Sequence, residues 1–158
     1  MRKIAIAIGI VTCATLIVAS AGAGGSAPSA RASHKQVLFV TLVPTSVYWV
    51  DNDPIDTSAG DLAGSTGPVR RHGHSIGNYS LACTLVSADR AQCQATLKLR
   101  KRGRIQLGGE FRLNAHRNQL AIVGGTGRLR RARGAARLRA FKAPNGNDGQ
   151  HIRLTIIR

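Results

Sequence analysis

Few side chains of this 158-residue chain have chemistry to offer, and most of them sit among turn residues. His72 and His74 form an H-x-H pair, which on a strand sends both rings to one side, as a metal site needs. Catalytic zinc takes a third protein ligand, and His34, His116 and His151 are distant along the chain, so a solvated pair is expected and no metal is assigned. Asp51, Asp53, Asp56 and Asp61 have the hard oxygens calcium prefers, but lack the EF-hand glycine and terminal glutamate and read as a polar loop. Gly125-Thr126-Gly127 suggests a phosphate cradle. No third glycine completes G-x-G-x-x-G, no helix follows and no P-loop Gly-Lys-Ser/Thr exists, so it reads as a turn. No cofactor is expected. Asn78-Tyr79-Ser80 is a glycosylation sequon on an expected strand and should be unused.

Cys83 and Cys93 each lie in an alternating segment, with Ser87-Ala88-Asp89-Arg90 as a polar turn between them. In a hairpin symmetric about Ala88 they face one another, and directly opposed residues of a non-hydrogen-bonded pair come close enough to bridge. A cross-hairpin disulfide is expected, contributing roughly 2–3 kcal/mol. It needs an oxidising compartment, and the N-terminus supplies the address. Met1-Arg2-Lys3 is basic, Ile4 to Ala19 is apolar and uncharged, and Ala21-Gly22-Ala23 is an A-x-A cleavage signal. Residues 1–23 therefore read as a signal peptide, residues 24–33 as a flexible Gly/Ser/Ala/Pro-rich leader, with Ala30-Arg31-Ala32 a second cleavage candidate, and residues 34–158 as the secreted domain. The apolar run is shorter than the roughly 20 residues that span a bilayer, and no other run is longer.

The elements that hold these groups are strands. Period-two alternation recurs from Tyr79 to Leu99, Ile105 to Leu113, Gln119 to Val123, Ala136 to Ala140 and Ile152 to Ile156, with glycine-rich turns between. Gln36 to Val43 is a nearly continuous apolar strand, another lies within Gly60–Arg70, and Pro44 to Ser58 reads as irregular. About eight short strands at hairpin spacing make an all-β antiparallel barrel or sandwich. A domain of this size can bury one core without metals. The composition excludes a multidomain enzyme, a coiled coil and a membrane bundle.

Sorting the alternation gives an inner face that includes Tyr79, Leu81, Leu97, Leu107, Phe111, Ile122 and Leu154, and these are expected to line a cavity. With the cysteines bridged, the phenol of Tyr79 is that face's only titratable group. General acid–base catalysis needs such a group aimed at the substrate, and the later strands offer no carboxylate or imidazole. Tyr79, Thr41 and an aspartate of the early loop remain as catalytic candidates. The outer face is basic. The chain carries 23 Lys+Arg against 7 Asp+Glu, a formal net charge of +16. Residues 98–158 alone hold sixteen basic residues against two acids. Arg128, Arg130, Arg131, Arg133, Arg137 and Arg139 suit an anionic cell-surface polymer. The scarcity of aromatics disfavours single-stranded nucleic acid.

Ala121-Ile122-Val123-Gly124-Gly125-Thr126-Gly127 followed by Leu129 and Ala132-Arg133-Gly134 resembles the dirigent and allene oxide cyclase-like family. Ala59-Gly60-Asp61, Ser75-Ile76-Gly77, and Gly103-Arg104-Ile105 with Gly109 match the order of its glycine-opened strands. The resemblance covers about residues 36–158. It implies an eight-stranded antiparallel barrel of calycin-like form with a central cavity, in proteins that are often oligomeric, so a homo-oligomer is left open. It implies either a non-catalytic protein that steers coupling of a small molecule or an isomerase acting on a fatty-acid epoxide. Plant dirigent proteins carry a His-Asp pair in the first strand, where Phe39-Val40-Thr41-Leu42-Val43 has neither, and Leu129 stands where an aromatic is common. Gly124, Gly125, Gly127 and Gly134 are expected to serve the backbone, through positive φ or a bend. The favoured expectation is a secreted barrel binding or steering a small apolar molecule. The alternatives are a cyclase-like isomerase and a basic module for anionic polymers.

Overall fold

The computed structural model describes residues 34–52 and 57–158. The expected signal peptide and leader (residues 1–33), and Asp53 and Asp56, lie outside the described residues. Nine strands follow in order: β1 (Lys35–Leu42), β2 (Ser46–Val50), β3 (Leu62–Arg71), β4 (His74–Ser87), β5 (Arg90–Leu99), β6 (Gly103–Arg112), β7 (Arg117–Gly125), β8 (Arg133–Lys142) and β9 (Asp148–Ile157). One turn of 3-10 helix, Gly127–Leu129, separates β7 from β8. Every pairing is antiparallel, in the order β1-β9-β8-β7-β6-β5-β4-β3-β2, and contact between β1 and β3 closes eight strands into a barrel.

The closure is short. β1 pairs with β9 along its whole length but meets β3 only at Thr41↔Arg70 and Leu42↔Val69. β2 then takes over the same edge of β3, from Ser46↔Thr66 to Val50↔Leu62. Pro44 has no N–H for a ladder, and the chain bends there, so β1 and β2 together make one interrupted barrel strand. Sequence reading placed Pro44 to Ser58 in an irregular segment; Ser46–Val50 is instead a strand. Its alternation was illegible because all five of its residues are exposed, so no buried face imprints a period.

The inner face fills the barrel. Leu97, Ile105, Leu107, Leu120, Ile152, Leu154 and Ile156 are all at most 2% exposed. Each such side chain is worth about 1.5–3 kcal/mol relative to exposure. A second, smaller cluster of Cys83, Leu85, Ala91 and Cys93 lies at one end. Cys83 and Cys93 are direct cross-strand partners and form a disulfide with Cα atoms 4.1 Å apart. Two glycines explain the bend from β7 into β8. A Cβ on Gly125 would collide with the carbonyl oxygens of Leu129 and Arg104. Gly134 adopts φ +131 with the Thr155 carbonyl directly against it. By contrast Gly124 has ordinary φ and only the end of the Gln106 side chain nearby. Of the two backbone roles expected, Gly124 lacks the positive φ and instead adjoins the irregularity where the β6–β7 register shifts.

Candidate functional site

An apolar cavity of about 60 Å³ lies inside the barrel, bounded by residues that include Leu42, Tyr79, Leu81, Ala95, Leu107 and Phe111. Ligand pockets usually run to roughly 300–1,000 Å³, whereas a single water needs about 10–15 Å³ by this measure. The cavity thus has room for a few water-sized groups. The cause is visible in the sequence: most inner positions on β5 to β9 are Leu or Ile, large enough to meet across an eight-stranded barrel. Of the expected lining residues, Leu81, Leu107 and Phe111 reach this space. Leu97, Ile122 and Leu154 do not. They are packed into the core with exposures of 0%, 4% and 0%, and this corrects the wider lumen expected from alternation alone. Alternation sorts side chains by face and says nothing of depth along the barrel.

Tyr79 is the phenol of the cavity. Its hydroxyl lies 3.3 Å from Ser65 Oγ, which β3 presents from the neighbouring strand. Burial pushes the Tyr79 pKa above its ordinary 10.0, against a smaller opposing effect of the Ser65 hydrogen bond. At neutral pH the group is therefore a protonated hydrogen-bond donor and a poor base. Gln150 and Asp148 border the same cavity from β9. Asp148 touches the cavity only at its rim, with its side chain 69% exposed, so the later strands still bring no carboxylate to the interior. It opens β9 in the register of Gln150 and Ile152. Lys142 Nζ holds its carboxylate at 2.8 Å.

Two apolar side chains extend this inner face beyond the closed barrel. Val47 pairs with Ser65 and Trp49 with Ala63, and directly opposed residues share a face. Ser65 lines the cavity, and Ala63 packs against the disulfide cluster. Val47 and Trp49 nonetheless remain 59% and 48% exposed, because β1 stops pairing with β3 before this point and no strand lies on the other edge of β2.

The remaining candidates fall elsewhere. Thr41 points outward, with Oγ1 3.2 Å from His151 Nδ1, so it is corrected from an interior group to a surface one. Its neighbours Val40 and Leu42 take the inner positions. Asp61 is fully buried, but its carboxylate accepts hydrogen bonds from the backbone N–H groups of Asn52 (3.0 Å) and Ser58 (2.8 Å). These bonds hold its pKa below the ordinary 3.8, and its role is to tie the early loop. His72 sits in the β3–β4 turn with φ 49, and His74 begins β4. Among the described residues no three His, Cys, Asp or Glu side chains gather as a metal site.

Outside the barrel, the outward residues of β1, β9, β8 and β7 floor an open concavity of about 1030 Å³. Arg117 opposes Arg139, Arg139 opposes His151, His151 opposes Thr41, and Thr41 opposes Arg70 in one continuous cross-strand row. A second row runs Gln119, Arg137, Arg153 and Phe39. Sequence reading picked out Arg137 and Arg139 but grouped them with Arg128, Arg130, Arg131 and Arg133, which lie in the exposed turn before β8 and at its start. Alternation also puts Arg153 on the outer face with Arg137 and Arg139, but Arg70, Arg71 and Arg117 are illegible in the sequence, because strand pairing brings them together from distant points of the chain.

No protein-family model matches the chain, and no curated protein does. Solved structures do match. The pterocarpan synthase dirigent protein GePTS1 superposes with a TM-score of 0.62 at 15% identity, covering 80% of this chain and 88% of its own. The chain has the fold of the dirigent-type barrels. Other proteins share that barrel. Pyocyanin demethylase matches with a TM-score of 0.66 at 17% identity, covering 74% of this chain and 98% of its own. The Diels Alderase AbmU from Streptomyces koyangensis matches at 0.63 and 16% identity, covering 82% and 70%. The dirigent-type barrel here thus keeps the shared architecture while its interior is reduced to a small cavity with one phenol, and no helix of the described residues is long and apolar enough to cross a membrane.

Proposed function

We propose that this dirigent-type barrel is an exported protein that holds a small, mainly apolar molecule at the mouth of its cavity and steers its reaction or carriage without catalysing it. The observation that carries this is the cavity itself: an apolar space of about 60 Å³ with a single hydroxyl pair, Tyr79 and Ser65, beside which Val47 is the cross-strand partner of Ser65. The ligand inserts one small apolar group among Leu81, Leu107 and Phe111. Its bulk lies against Val47 and Trp49, and Tyr79 donates a hydrogen bond to an oxygen of the ligand. Burial favours such a bond, and the raised pKa keeps the phenol protonated. The dirigent neighbour supports a steering role. The disulfide and the signal-like residues 1–23 support export.

A second reading, an isomerase or cyclase, is favoured by one observation: Tyr79, Ser65 and Asp148 border one cavity. The demethylase and Diels Alderase names show that the fold can host catalysis. There Tyr79 would be the proton donor, and Thr41 would have no part.

Trp49 is the only tryptophan of the chain, so its fluorescence reports on the mouth directly. A neutral apolar probe, N-phenyl-1-naphthylamine, should bind and shift Trp49 emission. Ala95→Phe, which fills the cavity from β5, should abolish binding while leaving the melting temperature within a few degrees. Undiminished binding by Ala95→Phe, or none by the natural chain, would sink the cavity reading. Tyr79→Phe separates the two roles: it weakens binding of an oxygen-bearing ligand in the first and abolishes turnover in the second.

A further inference from the structure

The arginine rows on the outer face have no structural explanation. Like charges directly opposite one another across a sheet are destabilising, yet Arg117 faces Arg139 and Arg137 faces Arg153. Among the described residues no carboxylate relieves them. The ion pairs among the described residues use Arg90 and Lys142, and the residues bounding this concavity include no Asp or Glu. What contacts these side chains do make holds them in place. Arg153 lies over the Phe39 ring at 5.8 Å, Arg137 Nε donates to Gln119 Oε1 at 3.4 Å, and His151 stacks on Phe141 with centroids 4.2 Å apart.

We propose that this face is a binding site for a linear acidic polysaccharide. Arg70, Arg71, Arg117, Arg137, Arg139 and Arg153 supply the charge, spread across strands from both ends of the domain. Cross-strand neighbours recur at about 4.8 Å and same-face residues along a strand at about 7 Å, so the rows form a grid on which a polyanion can lie extended. Guanidinium forks pair bidentately with carboxylate or sulfate. The remaining groups suit the sugar. The amide of Gln119 and the Thr41–His151 pair can meet hydroxyls, and Phe39, 63% exposed, gives a ring face for a pyranose. Single-stranded nucleic acid fits less well, since its binders use several stacking aromatics and Phe39 is the one exposed aromatic of these two rows. An anionic bilayer also fits less well, being flat where this face is concave.

The test uses polygalacturonate and heparin as probes, with binding measured against salt. The groove variant Arg137→Gln/Arg139→Gln/Arg153→Gln is compared with Arg128→Gln/Arg130→Gln/Arg131→Gln, which removes equal charge from the exposed turn before β8. The groove variant should lose about tenfold or more in affinity at low salt and bind with a shallower salt dependence. At physiological salt, where charges more than about 8 Å from the ligand are screened, the turn variant should stay within about twofold. Removing opposed arginines should leave the groove variant's melting temperature equal or higher, which separates lost binding from lost folding. Equal losses in both variants would reduce the effect to net charge and overturn the site. Absence of binding at low salt would do the same. Tighter binding of single-stranded DNA or phosphatidylglycerol vesicles than of either polysaccharide would overturn the partner. None of these outcomes depends on the cavity, and loss of probe binding in Ala95→Phe leaves this site untouched.

Discussion

Asp61 shows how little an acidic cluster says about chemistry until its partners are known. The spacing of Asp51, Asp53, Asp56 and Asp61 admitted a cation loop, but Asp61 is spent on backbone N–H groups of Asn52 and Ser58. Its depressed pKa gives a sign. A carboxyl whose pKa falls on folding adds stability above its unfolded pKa and loses it as pH drops through the folded value. That window lies below the ordinary 3.8. Asp61→Asn puts an amide N–H against a backbone N–H, so it should lower the melting temperature at neutral pH. It should also flatten the loss of stability below about pH 4, checked by thermal melts across pH. Tyr79 was legible from the chain because alternation placed it inside. Thr41 was not, because Phe39-Val40-Thr41-Leu42-Val43 is apolar on both faces and leaves its inner side undetermined.

At the scale of elements, the β4–β5 hairpin was the best-read part of the chain. Two clean alternating runs and a polar turn set its register, and Cys83 and Cys93 are paired as that register requires. The bridge closes a separation of 10 residues, for which loop-closure entropy gives roughly 2–3 kcal/mol. Cys83→Ala/Cys93→Ala should lower the unfolding free energy by that amount in urea melts, with little change in slope. β2 was the worst-read element. It is held by β3 alone and its residues are exposed, so its strand-forming Val-Tyr-Trp-Val carries no buried alternation to mark it.

For the whole molecule, charge and barrel act on separate surfaces. Among the described residues the one buried charged group is Asp61, tied into the early loop, and every Lys and Arg side chain lies outside the core. Self-repulsion among these cations destabilises a compact state and is screened by salt. The melting temperature should therefore rise by several degrees as sodium chloride is raised from low ionic strength, and the rise should be smaller in the groove variant. A fall on adding salt would show that ion pairs, not repulsion, dominate the surface.

Periodicity and turn chemistry determined the all-β class, the inner and outer faces and the pairing of the two cysteines, because each depends on neighbours close in the chain or on an alternation that burial imposes; they left barrel and sandwich open, and the resemblance around Gly124–Gly134 pointed to the barrel. The size of the cavity, Asp148 at its mouth, the exposed inner face of β2 and the assembly of the arginine rows were decided by tertiary structure. Each of those depends on how far around and along the barrel strands distant in the chain come to rest against one another, and outside a tight hairpin no local turn fixes that placement.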